Sequence, residues 1–215
     1  MRLNQFLAKT TDLSRRSADQ AILDGRVIVN EELAKVGQTV EESDSISLDG
    51  KQLSSSVETK TIQLNKPYGY VVSREGQGSK TVYELLPEEL QNLKPIGRLD
   101  RNSTGLLLLT NDGHLNQTLS HPSNNKDKIY KVLLDRELLP EDKSKIEMGV
   151  ELEDGFSSLG LLGGGQKWQV TMSEGRNRQI RRTFDLLGYK VIKLHRTNFG
   201  EYHLDDQKSG SWIFV

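Results

Sequence analysis

From Thr61 onward the chain is a succession of short apolar runs, many set too close together for a helix to lie between them. Residues 61–65, 70–73, 106–110, 130–134, 168–172 and 190–194 each have the length and side-chain type of a strand. A parallel pair needs a crossover of about a dozen residues or more, usually helical. Few of the intervals carry a helical pattern, residues 81–86 and 141–148 being the clearest. The spacing therefore predicts an α+β fold over residues 61–215: a mixed, largely antiparallel β-sheet with flanking helices.

The first 52 residues follow a different pattern. Leu3, Phe6 and Leu7 fall on one face of a short helix. Ser14 is a helix N-cap for a second, with Ala18, Ala21 and Ile22 on its apolar face and Gly25 as the stop. Residues 27–29 read as a strand ending in a turn at Asn30-Glu31, and Ile46 and Leu48 alternate with serines as a half-buried strand does. This small helix–helix–strand unit, residues 1–52, joins the larger domain through a polar linker at 53–60.

Formal net charge is -1, so bulk charge selects no partner, and only a local patch can. The chain has no cysteine, which removes disulfides, thiolate metal sites and thiol catalysis together. Its four histidines are scattered without metal-ligand spacing, and no metal is expected. No apolar run approaches the roughly 20 residues of a membrane span, and the N-terminus lacks a signal-peptide core. The expectation is a cytoplasmic chain with no membrane association. Gly163-Gly164-Gly165 lacks the setting of a nucleotide-binding loop and reads as a flexible hairpin.

Chemistry concentrates in three places. In Gly97-Arg98-Leu99-Asp100-Arg101-Asn102-Ser103-Thr104-Gly105, one carboxylate sits between two arginines on a loop bracketed by glycines. Arg98 and Arg101 are placed to keep Asp100 ionised, as a nucleophile or base must be. Gly97 and Gly105 permit tight turns and close approach of a ligand. In Lys128-Ile129-Tyr130-Lys131-Val132, Tyr130 fits either the core of a strand or a stacking platform for a base. In residues 173–184, a helical reading puts Arg178, Arg181, Arg182 and Asp185 on one side, and Ile180, Phe184 and Leu187 opposite. Lys190, Lys193, His195 and Arg196 extend that basic zone. Asp112 reads as turn chemistry or a cap for a helix starting near His114.

Two resemblances bear on these residues. Arg2-Leu3-Asn4-Gln5-Phe6-Leu7, Ser14-Arg15-Arg16-Ser17-Ala18 and Gly25-Arg26-Val27-Ile28-Val29-Asn30 together resemble an S4 domain, a small RNA-binding module. That resemblance implies phosphate contacts from Arg2, Arg15, Arg16 and Arg26. The run from Gly97 to Gly113 resembles the active-site motif of the pseudouridine synthases, in the branch that modifies ribosomal RNA and carries an S4 domain. It implies a catalytic trio of Asp100, Tyr130 and Arg181, with Arg181 paired to Asp100. It further implies substrate contacts from Lys66, Arg98, Arg101, Arg178 and Ile180, with Arg98 able to enter the RNA where the target nucleotide has flipped out. RNA contacts are expected from Arg176, Arg182 and Arg196. The implied enzyme is a monomer acting on a folded region of ribosomal RNA, without cofactor or metal. Residues 149–155 and 174–178, with the glycine-rich insert, look more like the large-subunit than the small-subunit branch. A non-catalytic ribosome-assembly factor would not require the trio. An RNA glycosidase would want a second carboxylate near Asp100, with Asp112 and Asp154 as candidates.

Overall fold

Leu3, Phe6 and Leu7 turn inward from α1 (Leu3–Thr10), which ends where the Thr10 and Thr11 hydroxyls donate back to the Phe6 and Leu7 carbonyls. In this computed structural model, residues 1–54, 58–121 and 126–215 are described. The Ser14 hydroxyl accepts from the Ser17 amide at 3.0 Å and caps α2 (Arg15–Leu23), whose Ala18, Ala21 and Ile22 are buried. Four short strands follow: β1 (Val27–Val29), β2 (Glu32–Leu33), β3 (Ile46–Leu48) and β4 (Lys51–Leu53). They form an antiparallel sheet in the order β2-β1-β3-β4. Asn30 and Glu31 both have positive φ, the signature of the two-residue hairpin turn whose twist matches its strands. Part of the expected linker, residues 55–57, lies outside the described residues.

The chain divides into two compact units, Met1–Lys60 with Asn111–Gly113, and Thr61–Thr110 with His114–Val215. The second is built on β5 (Thr61–Lys66), β6 (Lys94–Pro95), β7 (Thr104–Thr110), β8 (Lys128–Leu134), β9 (Val150–Leu152), β10 (Gly155–Ser157), β11 (Gly160–Gly164), β12 (Lys167–Met172), β13 (Val191–Phe199), β14 (Tyr202–His203) and β15 (Trp212–Phe214). Its helices are α3 (Gly113–Ser120), α4 (Pro140–Met148) and α5 (Gln179–Leu186). The main sheet runs β11-β12-β8-β13-β7-β5-β15, with β6 added on β7 and β14 on β13, and β9 pairs with β10 apart from it. Its pairings are antiparallel except that of β7 with β13. The fold is thus mixed α+β: an N-terminal unit of two helices and a small sheet, and a second unit built on a mostly antiparallel sheet.

Strand β7 explains its own sequence. Leu107 and Leu109 pack with Ile62 and Leu64 in the larger core, while Leu106 and Leu108 pack on the other face with Ile96, Leu119 and Phe199. An unbroken leucine run is what a strand covered on both faces requires. The expected strand at 70–73 forms only a single bridge, Val71 to Thr81. Positive φ at Gly69, Gln77 and Gly78 folds this segment back on itself, so its hydrogen bonds are satisfied locally rather than on the sheet. Residues 82–85 form a 3₁₀ turn instead of a longer helix, Glu84 accepting from the Thr81 amide, with Pro87 just beyond. The Gly163–Gly165 hairpin is pinned rather than loose. The Gly165 carbonyl accepts from the Trp168 indole at 2.9 Å and the Leu138 amide at 3.1 Å.

Gly105 answers to the fold, not to a ligand. Its φ is +104°, and a Cβ there would stand 2.2 Å from the Arg196 carbonyl oxygen on β13. The close parallel approach of β7 and β13 at His195–Thr104 and Arg196–Gly105 therefore requires glycine.

Candidate active site

The loop between β6 and β7 carries Asp100, and four consecutive carbonyls hold it. The Asp100 carbonyl accepts from the Ser103 amide at 3.0 Å, and that of Arg101 from the Gly69 amide at 2.9 Å. The Asn102 carbonyl accepts from Arg181 Nη2 at 2.8 Å, and that of Ser103 from Lys66 Nζ at 2.7 Å. Ile96 and Leu99 add apolar anchors on opposite sides, one in each core cluster. The loop is thereby fixed before any ligand arrives, as a site with a demanding geometry needs.

Lys66 acts from beneath. Its side chain is fully buried, and Nζ also donates to the Pro67 carbonyl at 3.1 Å. Burial pushes its amine down to about 8, with the Asp100 charge opposing the shift. The substrate contact expected of Lys66 is corrected here, because no part of it reaches the surface. It braces the aspartate loop instead.

The Asp100 side chain is one-third exposed, and its ion-pair partner is Arg178, with Nη1 3.7 Å from Oδ2. Arg178 precedes α5 in the left-handed conformation, φ 48° and ψ 28°. The resemblance put Arg181 in that pairing. In the structure, Arg181 spends its donors on the Asn102 and Val191 carbonyls, the latter at 2.6 Å. Burial lowers the Arg181 guanidinium, as does Arg178, while Asp100 raises it, so Arg181 feels the carboxylate without hydrogen bonding to it. The reason is local: α5 begins at Gln179, which leaves Arg178 on the turn and carries Arg181 to the start of the helix. Arg98 and Arg101 are both exposed and, among the described residues, neither forms an ion pair with Asp100. The cation that pairs with the carboxylate is Arg178 instead.

Asp100 opens on a cleft of about 450 Å³ whose apolar wall includes Tyr130, Met172, Ile180 and Leu194. Tyr130 is buried on β8, and its hydroxyl has no hydrogen-bond partner among the described residues. Ile180, in the first turn of α5, is also buried, with Thr183 and Phe184 following it inward. The sequence left Tyr130 between core and platform; it packs in the core cluster and also lines the cleft. Arg98 stands at the cleft as an exposed guanidinium with no protein partner among the described residues.

Several arginines expected at RNA are committed elsewhere. Arg176 donates to Asp154, Glu174 and the Asp154, Gly155 and Phe156 carbonyls. Arg182 grips Asp154 with two nitrogens, at 3.0 and 2.6 Å, and the Asn177 carbonyl with a third. Arg26 makes a forked pair with Asp49. Asp154, a candidate second carboxylate, is therefore occupied by two arginines. Arg196, from which an RNA contact was expected, is only 2% exposed and lies in the cleft wall rather than on an outer surface. Arg2, Arg15 and Arg16 remain exposed, with no side-chain partner among the described residues. Two cleft residues were missed from sequence. Lys128 shares the inward parity of Tyr130 two positions on, a signal that was there to use. Glu174 lines the cleft with its carboxylate held by Arg176 and Gln179. Among the described residues no group of His, Asp or Glu is arranged to hold a metal ion. No helix among them is long and apolar enough to cross a membrane.

Comparison with known proteins bears directly on this arrangement. The RNA pseudouridylate synthase family model matches residues 60–186, and the S4 domain model matches residues 1–46. The chain belongs to the RNA pseudouridylate synthase family. An RNA pseudouridine synthase of Aquifex aeolicus is 35% identical, covering 99% of this chain and 89% of that protein. The ribosomal large subunit pseudouridine synthase B of Bacillus subtilis is 36% identical over 97% of this chain and 89% of its own length. Other relatives of that name are longer, and the chain spans 40 to 45% of their length. A crystal structure of a pseudouridylate synthase superposes with a TM-score of 0.72 at 31% identity, covering all of this chain and 96% of that one. The likeness to these relatives thus extends over nearly the whole length of the chain, and that to the S4 domain over its first 46 residues.

Proposed function

We propose that this chain converts a uridine of large-subunit ribosomal RNA to pseudouridine, with Asp100 as the nucleophile. The observation that carries the reading is the fixed, partly exposed Asp100 carboxylate, paired to Arg178, opening on a cleft walled by Tyr130 and Ile180. The uridine leaves its stack and enters the cleft, at a cost of about a few kcal/mol in lost stacking. Asp100 bonds to ribose C1′ as the bond between C1′ and uracil N1 breaks, the electron pair leaving with the ring; the ring turns, and C5 displaces Asp100 from C1′. The C5 proton departs and N1 gains one, so mass is unchanged. Tyr130 and Ile180 confine the ring between apolar surfaces, and the locked loop keeps Asp100 in reach without reorganisation. Arg178 and Arg181 set a positive field at the carboxylate. Arg98, exposed and unpaired among the described residues, suits the space vacated by the flipped nucleotide, and exposed Arg2, Arg15 and Arg16 suit the RNA backbone. The large-subunit assignment leans on the names of the relatives.

The test is Asp100→Asn. The variant is expected to bind ribosomal RNA with unchanged affinity and to form no pseudouridine. Turnover by a clean preparation would refute the assignment. Mapping pseudouridines in both ribosomal RNAs of a strain lacking the protein identifies the target; loss confined to small-subunit RNA would overturn the large-subunit reading.

A further inference from the structure

Arg196 is a buried cation without an acid. It makes no ion pair among the described residues, and its one hydrogen bond is from Nε to the Leu106 carbonyl at 2.8 Å. Nη2 is sealed from solvent with no acceptor, and Nη1 has none either among the described residues. Its guanidinium lies 4.9 Å from the centre of the Phe199 ring, which it shares with Lys128 at 5.2 Å. Two cations over one ring repel one another. Of the acids lining the cleft, Glu174 is taken by Arg176 and Gln179, and Asp100 is paired with Arg178. A buried charge in this condition is costly unless an acceptor reaches it.

The register says which part of a nucleotide arrives. Arg196 on β13 stands directly across from Tyr130 on β8. It lines the same cleft as Asp100. The phosphates of a continuous strand stay at the mouth of such a cleft, where Arg98 and Arg178 are exposed; only the base reaches a residue as buried as Arg196. A guanidinium offers donors alone, and the uracil ring offers carbonyl oxygens as acceptors.

We propose that Arg196 receives a carbonyl oxygen of the target uracil and stabilises the negative charge that the ring carries once it is detached from ribose. The proposal rests on the pseudouridine synthase reading. When the C1′–N1 bond breaks, its electron pair goes to the uracil, where it is shared between N1 and the carbonyl oxygens. A fixed cation at such an oxygen interacts more strongly with the detached ring than with the bound nucleoside, so it acts on the rate of the chemical step.

Arg196→Met keeps the bulk over Phe199 and removes the charge; Arg196→Lys keeps the charge and loses the fork. Both are assayed on ribosomal RNA from a strain lacking the protein, measuring pseudouridine formation in single turnover and RNA affinity separately. For Arg196→Met the rate is expected to fall ~100-fold or more, the typical effect of losing one charge-stabilising donor, with RNA affinity within about two-fold of wild type. Arg196→Lys is expected to recover part of that rate, which a purely structural role does not predict for two folded variants. A weakened RNA affinity with an unchanged rate would overturn the proposal in favour of a backbone contact. An unchanged rate in folded Arg196→Met, or an Arg196→Lys that is folded yet no faster than Arg196→Met, would overturn it outright. If wild type itself forms no pseudouridine, the underlying reading falls; if wild type is active and Arg196→Met matches it, only this role does.

Discussion

Lys66→Met tests whether the aspartate loop rests on a strained cation. At neutral pH the wild-type amine is charged and fully buried, and its fall from 10.5 to about 8 corresponds to roughly 3 kcal/mol of lost stability. Methionine removes that penalty but leaves the Ser103 and Pro67 carbonyls without their donor, at about 1–3 kcal/mol each. Near pH 7 these opposing effects leave a small net change, between about 1 kcal/mol of gain and 3 of loss. The pH dependence is sharper. Between about 8 and 10.5 the unfolded lysine binds more protons than the folded one, so wild-type stability rises with pH across that window. The neutral amine still has two N–H donors for its two carbonyls, so nothing else is lost on deprotonation. The variant lacks this rise, and its deficit against wild type should grow by about 2 kcal/mol between pH 7 and about pH 9.5. Urea denaturation of both proteins across that range measures it, since other titrating groups cancel in the difference. A constant difference would refute the reasoning. Asp100→Asn, which removes the opposing charge, should move the same rise to lower pH.

Gly105→Ala should lower stability by roughly 3 kcal/mol or more in thermal denaturation, because backbone atoms of Arg196 occupy the place of the new methyl group. Arg181→Met should lose about 2–4 kcal/mol in urea denaturation, its two carbonyl acceptors being left unsatisfied. Arg178→Met, at an exposed position, should stay within about 0.5 kcal/mol of wild type while pseudouridine formation slows. Replacing Arg15 or Arg16 with alanine should flatten the salt dependence of RNA binding by about one unit of slope each. Neither change should lower stability, since both side chains sit in the first turn of α2, where the helix dipole disfavours cations.

Periodicity located most of the strands because a strand's burial pattern is written in the strand itself. The leucine run of β7 and the alternation of β8 are examples, and Asn30-Glu31 announced a hairpin by its own backbone preference. Residues 70–73 show the limit: the apolar content is there, but glycines on either side turn the segment away from the sheet. The parallel approach of β13 to β7 was equally hidden, although Gly105 marks it. At the site, the sequence singled out Asp100, Tyr130 and Ile180, and the fold gathers them at one cleft. It could not allot the arginines. Whether a guanidinium is free depends on which carboxylate or carbonyl the fold brings to it, and Arg176, Arg178, Arg181 and Arg196 differ in that respect as well as in burial.

That allotment resolves an apparent contradiction in the composition. Twenty-nine basic residues against thirty acidic ones give no overall attraction for a polyanion. The acids, however, are spent selectively: Asp49 on Arg26, and Asp154 on Arg176 and Arg182. Among the described residues, Arg98 is left unpaired at the cleft and Arg196 unpaired in its wall. Position then sets strength. A unit charge pair at about 4 Å is worth about 1 kcal/mol in water and about 4 kcal/mol at an effective dielectric of about 20. An exposed arginine at the mouth thus contributes a weak, salt-sensitive attraction suited to gathering any RNA. On the role proposed for Arg196, the enclosed one contributes little until the ring beside it carries charge, and then acts with several times the force. Near-zero net charge is thus compatible with weak, salt-sensitive RNA attraction at the mouth and strong stabilisation of one reacting ring.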